Sequence, residues 1–142
     1  MQLSPPSAYI RDTGTEKGRG VFAARPFACG EVIESCPVVV LHGPFTALPE
    51  EIKTRVFDWS VLAQVQNTQA FALGYGSMYN HDNPANMRYE ADKQHSLLRF
   101  ISVREISEGE ELTVNYNAIG GGAEWENDNW FDRMNVKPIA KG

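Results

Sequence analysis

The sequence predicts one mainly β domain with short helical pieces. Two observations carry this. Short runs rich in β-branched and aromatic residues recur at close spacing, separated by Gly, Pro, Asn and Asp. Only one stretch has the length and periodicity of a helix. At 142 residues, with 42% hydrophobic and 22% charged residues, the chain has the ordinary makeup of a single core. We read 1–142 as one domain, with its core over about 8–116 and an aromatic tail over 117–142.

The elements follow in order. Gly18-Arg19-Gly20 reads as a turn, and Val21-Phe22-Ala23-Ala24 as a short strand after it. Cys29-Gly30 is a second turn. Glu31–Glu34 and Val38–Leu41 are two β-rich runs, and Pro37 between them marks a bend or an edge. Thr46 through Asp58 is the helix candidate: Pro49 stands near its start, Glu50 and Glu51 in its first turn, and Leu48, Ile52, Val56 and Trp59 are spaced for one face. The stretch Gln64–Ala72 fits neither pattern cleanly. Asn86–Glu90 and Leu97–Val103 read as strands joined by a turn at Asp92-Lys93-Gln94. Ser107-Glu108-Gly109-Glu110 is a turn before a strand over Leu112–Tyr116, and Gly120-Gly121-Gly122 is a break.

Composition narrows the function classes. The net charge of −5 is the wrong sign for non-specific nucleic-acid binding and favours cationic partners such as Lys- and Arg-rich peptides. No apolar run approaches the roughly 18 residues needed to span a bilayer. The start, Met1-Gln2-Leu3-Ser4-Pro5-Pro6, lacks a basic stretch followed by an apolar one, so no secretory signal is read. A soluble intracellular protein without membrane contact is the expectation. Two cysteines, Cys29 and Cys36, make neither a disulfide framework nor a zinc site.

Four features bear on chemistry. Gly18-x-Gly20 alone is a tight turn, although two glycines also let backbone N–H groups approach a polar ligand. It lacks the third glycine and the following helix of a dinucleotide fingerprint. Asn80-His81, followed by a turn with Pro84 and Asn86, sets side-chain amides where they can hold an amino-acid carboxylate and ammonium or pin a loop. His81 invites a general-base reading, but no Ser or Cys nucleophile with an orienting third group accompanies it. Tyr116 ends a strand just before the Gly-rich break; a phenol, with its ordinary pKa of about 10, stays neutral and can orient an amine. Trp125, Trp130 and Phe131 either anchor the C-terminus or cover a flat heterocycle.

Taken together, Gly18-Arg19-Gly20-Val21-Phe22-Ala23, then Asn80-His81 with Asn86, then Glu110-Glu111-Leu112-Thr113-Val114-Asn115-Tyr116 resemble the three signature segments of the SET-domain protein-lysine methyltransferases. The resemblance covers roughly residues 8–133. The run Ala72-Leu73-Gly74-Tyr75-Gly76 to His81 and the tail Asp128–Arg133 look most like the minimal SET proteins of large DNA viruses and of bacteria. It implies small curved sheets with a C-terminal pseudoknot, where the Asn80-His81 and Tyr116 segments meet. It also implies methyl transfer from S-adenosyl-L-methionine to a lysine of a protein or peptide, a histone tail among the candidates. By the same resemblance Arg19 and Gly20 meet the cofactor through backbone, and Asn80 binds its amino-acid end. His81 offers backbone to the adenine while its ring holds the knot. Tyr116 is the catalytic tyrosine, in contact with both cofactor and amine. Trp130 stacks on adenine, Tyr89 reaches the lysine channel and Tyr75 lines the peptide side.

The chain departs from the family in three places. Pro84 stands one position early, Asn115 stands where many members have Asp, and the tail lacks the zinc-binding cysteines of many chromatin members, so no metal is expected. Small viral relatives make a homodimer a candidate assembly. The rival readings are a SET-fold module that binds peptides without transferring methyl groups, and an unrelated small β-rich interaction domain.

Overall fold

The structure, a computed structural model, describes residues 1–117 and Gly120. Strands β1 (Ala8–Asp12) and β2 (Arg19–Ala23) form an antiparallel hairpin in register from Ala8 opposite Ala23 to Asp12 opposite Arg19. Gly18 closes its turn at φ +74°, where only glycine sits without strain. The expected turn therefore ends two residues earlier than read: Arg19 and Gly20 already belong to β2.

The main sheet runs in the order β4 (Val56–Phe57), β5 (Thr68–Ala72), β3 (Val32–His42), β8 (Leu97–Ser102) and β7 (Met87–Asp92). Its spine is β3 (Val32–His42), one continuous strand where two runs were expected. Pro37 explains both readings. Residues up to Pro37 pair with β8 (Leu97–Ser102), and residues from Val38 pair with β5 (Thr68–Ala72). The strand changes partners at the one residue without an N–H to donate, while the Pro37 carbonyl still accepts from Leu73 N at 2.9 Å. β7 (Met87–Asp92) and β8 form a hairpin in register from Met87 opposite Ser102 to Asp92 opposite Leu97, close to the strands expected there.

The helix expected over 46–58 is not formed. The segment breaks into a 3₁₀ turn (Phe45–Ala47), a single turn α1 (Glu50–Lys53), strand β4 (Val56–Phe57) and a second short turn α2 (Trp59–Leu62). Leu48, Ile52 and Val56 remain only half-buried. Phe57 instead joins the sheet opposite Ala70, and Trp59 is buried. Burial of two large aromatics outweighs the few tenths of a kcal/mol per residue that helix propensity offers.

Two short strands complete the fold: β6 (Asn80–His81) and β9 (Thr113–Val114). They pair in parallel, Asn80 opposite Thr113 and His81 opposite Val114. A parallel pair needs a long crossover connection, and here the β7–β8 hairpin and the loop after it supply it. Val21, Cys36, Met87, Leu98, Phe100 and Leu112 are fully buried at the centre. Among the described residues no helix is long and apolar enough to cross a membrane.

Candidate active site

The parallel β6–β9 contact brings residues 79–81 against residues 113–116, which lie more than thirty positions apart in sequence. Three side chains lock it. Asn86 is buried, and its amide donates to the Glu111 carbonyl at 2.7 Å and to the Glu110 carboxylate at 3.2 Å, while its oxygen accepts from Thr113 N at 2.9 Å. The His81 ring accepts the Tyr116 backbone N–H on Nδ1 at 3.0 Å. That bond leaves Nδ1 without a proton and its lone pair committed, so the ring holds the strand end. The Tyr116 hydroxyl donates to the Tyr79 carbonyl at 2.7 Å. Asn115, where an Asp was expected by the resemblance, accepts the Asn117 N–H at 2.9 Å through its side-chain oxygen, a task either residue performs.

Next to the crossing, Asn80 reaches the first hairpin. Its amide donates to the Arg19 carbonyl at 3.0 Å and to the Glu111 carboxylate at 2.8 Å. Gly20 makes this approach feasible. A Cβ there would lie 2.5 Å from the Glu111 carboxylate and 3.1 Å from the Asn80 amide nitrogen. Arg19, Gly20 and Asn80, far apart in sequence, thus form one polar cradle of backbone and amide groups beside Glu111.

On the other flank the sheet supplies aromatic rings. Tyr89 on β7 packs edge-on against Phe57 at 4.9 Å and lies 5.9 Å from Phe100, and its N–H donates to the Gly120 carbonyl. The Tyr116 ring sits 5.2 Å from His81. Burial pushes the Tyr116 phenol up to about 12, with Arg55 opposing and Glu111 adding to the shift. Burial first, and the Tyr116 phenol second, push Tyr89 well above the ordinary range. Both phenols are therefore neutral at physiological pH. Tyr75 lies half-buried on the loop before β6 and also acts on Tyr79, whose phenol is raised chiefly by burial and then by Glu34. Trp130 and Trp125 lie outside the described residues.

Sequence reasoning missed Glu34. It is 5% exposed on the central strand, and it accepts from the Tyr79 hydroxyl at 2.6 Å and from Tyr75 N at 3.0 Å. The signal was present as an acid amid Val32, Ile33 and Cys36 in a β-rich run, where a charged residue has no place unless a partner awaits it.

Sheets arranged this way, with a tyrosine strand-end pinned beside an Asn-His pair and a glycine hairpin, define one class of protein. Residues 18–117 match the SET domain family, and the chain belongs to it. A "Histone-lysine N-methyltransferase, H3 lysine-37 specific" of Schizosaccharomyces pombe is 37% identical over 114 residues, covering 75% of this chain and 71% of that protein. A Plasmodium falciparum structure named for a histone methyltransferase superposes with a TM-score of 0.64 at 21% identity, over 81% of this chain and 96% of that one. A chain of an active polycomb repressive complex 2 in the basal state gives 0.65 at 21% identity, over 84% of this chain and 17% of that one. At those identities the two structures speak for the fold alone. The chain is a protein-lysine methyltransferase.

Proposed function

We propose that the chain transfers methyl groups from S-adenosyl-L-methionine to a lysine of a histone or another lysine-rich protein, with Tyr116 as the catalytic tyrosine. The observation that carries the reading is the placement of the Tyr116 phenol. Its proton goes to the Tyr79 carbonyl and its backbone to His81, beside the Gly20–Asn80 cradle.

The cradle suits the cofactor. Gly20 lets the Glu111 carboxylate and the Asn80 amide close on its backbone, and Arg19, Asn80 and Glu111 gather there donors and acceptors of the kind that fit an amino-acid end. When bound, S-adenosyl-L-methionine supplies an activated methyl group on a sulfonium. His81 offers its backbone to the adenine, and Trp130 is our candidate for stacking on it. Tyr89 lines the amine channel and Tyr75 the peptide side. Because the Tyr116 O–H is given to Tyr79, the phenol oxygen faces an incoming amine as an acceptor and orients its lone pair. No residue need remove the proton. A lysine, ordinarily with a pKa of about 10.4, loses it more readily when desolvated among aromatic rings. The net charge of −5 draws in a basic tail, and the name of the fission-yeast relative makes a histone H3 tail the first substrate to try.

The test is a radiolabelled methyl-transfer assay over histones and lysine-rich proteins, read out by mass spectrometry. Binding of S-adenosyl-L-methionine without transfer to any of them would favour the peptide-binding alternative.

Activity should rise from neutral pH toward about 9, as more of the substrate lysine is neutral. Tyr116 does not limit this range. Its folded-state pKa, about 12, lies above the unfolded value of about 10, so its contribution to stability is complete below pH 10 and is lost between 10 and 12. A profile peaking near pH 6 would instead assign catalysis to a protonated His81.

Tyr89→Phe should shift products toward higher methylation without abolishing activity. A phenol at the amine, directly or through water, restricts rotation of a partly methylated lysine, and Val114 leaves the channel wide on its other side. Intact-peptide mass spectrometry over a time course decides this. An unchanged mono-, di- and trimethyl distribution would place Tyr89 outside the channel.

A further inference from the structure

We infer that Glu34 is a positioning residue for methyl transfer: its carboxyl group fixes Tyr79, and Tyr79 fixes the Tyr116 phenol. The inference rests on the role proposed above for Tyr116.

Glu34 lies on β3 opposite Phe100 and is 5% exposed. Among the described residues no Lys, Arg or His forms an ion pair with it. A carboxyl group buried without a cation is costly unless its oxygens are satisfied. Here both oxygens have donors: the Tyr79 hydroxyl on one at 2.6 Å, and Tyr75 N on the other at 3.0 Å. The loop between β5 and β6 is moulded onto these atoms. Gly74 adopts φ +67°, and a Cβ on it would lie 2.4 Å from the Glu34 carboxyl oxygen. A Cβ on Gly76 would lie 2.8 Å from Cys36 Sγ and 2.6 Å from the Ala72 methyl. Two glycines at these places therefore serve close approach to β3.

Tyr79 emerges from the 3₁₀ turn Gly76–Met78 and is held at both ends. Its ring packs on Phe100 at 4.7 Å with its hydroxyl on Glu34, while its carbonyl receives the Tyr116 hydroxyl. The next residue is Asn80, whose amide joins the cradle. A change at Glu34 thus reaches the reacting end of the site through one residue, without touching substrate or cofactor. The geometry asks for an acceptor at both oxygens. Gln at position 34 has the right size but offers an NH₂ group to one of two donors.

Glu34→Gln and Tyr79→Phe should each lower kcat roughly five- to tenfold, because a small misplacement of an orienting group is felt at the reacting atoms. In Tyr79→Phe, which leaves the Tyr75 contact with Glu34 intact, the KM for peptide and the calorimetric Kd for S-adenosyl-L-methionine should stay within about twofold. The deciding measurement is the double variant. In a Tyr116→Phe background, which lacks the positioned hydroxyl, Glu34→Gln should cause no further loss. A merely structural role would persist there, and a full multiplicative loss overturns the inference. So does an unchanged kcat in Tyr79→Phe, the milder change that decides the matter if Glu34→Gln does not fold. The underlying reading fails separately: if Tyr116→Phe alone keeps full turnover, the role of Tyr116 is lost. If Tyr116→Phe is impaired while both other variants are not, only the inference about Glu34 is lost.

Discussion

Tyr116→Phe is expected to lower turnover at least about tenfold, equivalent to about 1.4 kcal/mol of barrier, while the protein stays folded. The substitution removes one oxygen. That oxygen is the only part of the side chain donating to the Tyr79 carbonyl, whereas the Tyr116 N–H on His81 is a backbone group and survives. The ring also keeps its packing beside His81. The loss should therefore fall on kcat, with cofactor affinity little changed, which separates orientation of the amine from binding. Unchanged turnover in the purified, folded variant would remove Tyr116 from the mechanism.

The largest effect on stability is expected from Asn86→Ala. One buried amide serves the Glu111 carbonyl, the Glu110 carboxylate and the Thr113 N–H. Alanine leaves the part-buried Glu111 carbonyl and the buried Thr113 N–H without partners, at about 1–3 kcal/mol each, so a total loss of about 2–6 kcal/mol is expected in urea unfolding. Asn86→Asp should do no better. It still accepts from Thr113, but it has nothing to donate to Glu111 and places a second carboxylate beside Glu110. A loss below about 1 kcal/mol for either variant would mean that the β6–β9 contact holds without this pin.

Much of the candidate site was legible in the sequence because its signature residues are chemically odd for their surroundings. An Asn-His pair after a glycine-rich run, and a tyrosine closing an alternating strand, have little reason to exist as packing alone. The role of Asn86 was half legible: an amide that could pin a loop or hold a ligand proved, with three short contacts, to be a pin. Glu34 was not legible as part of the site. Its partner Tyr79 lies forty-five positions away, and only the sheet brings them together.

The same division runs through the fold. Alternating β-rich runs and turn residues suffice to predict a mainly β domain, because strand period and turn chemistry are local properties. The segment 46–58 was misread because its helical spacing is local, whereas the burial of Phe57 in the sheet and of Trp59 in the core is not. Pro37 signalled a discontinuity correctly, but only the pairing shows that the strand runs straight through it and changes partners. The sequence by itself thus determined the class of fold, the family and the residues with which the chemistry is proposed to work. The tertiary structure alone decided which of them touch, since a parallel contact between residues 80–81 and 113–114 depends on chain crossing, and no local pattern encodes that.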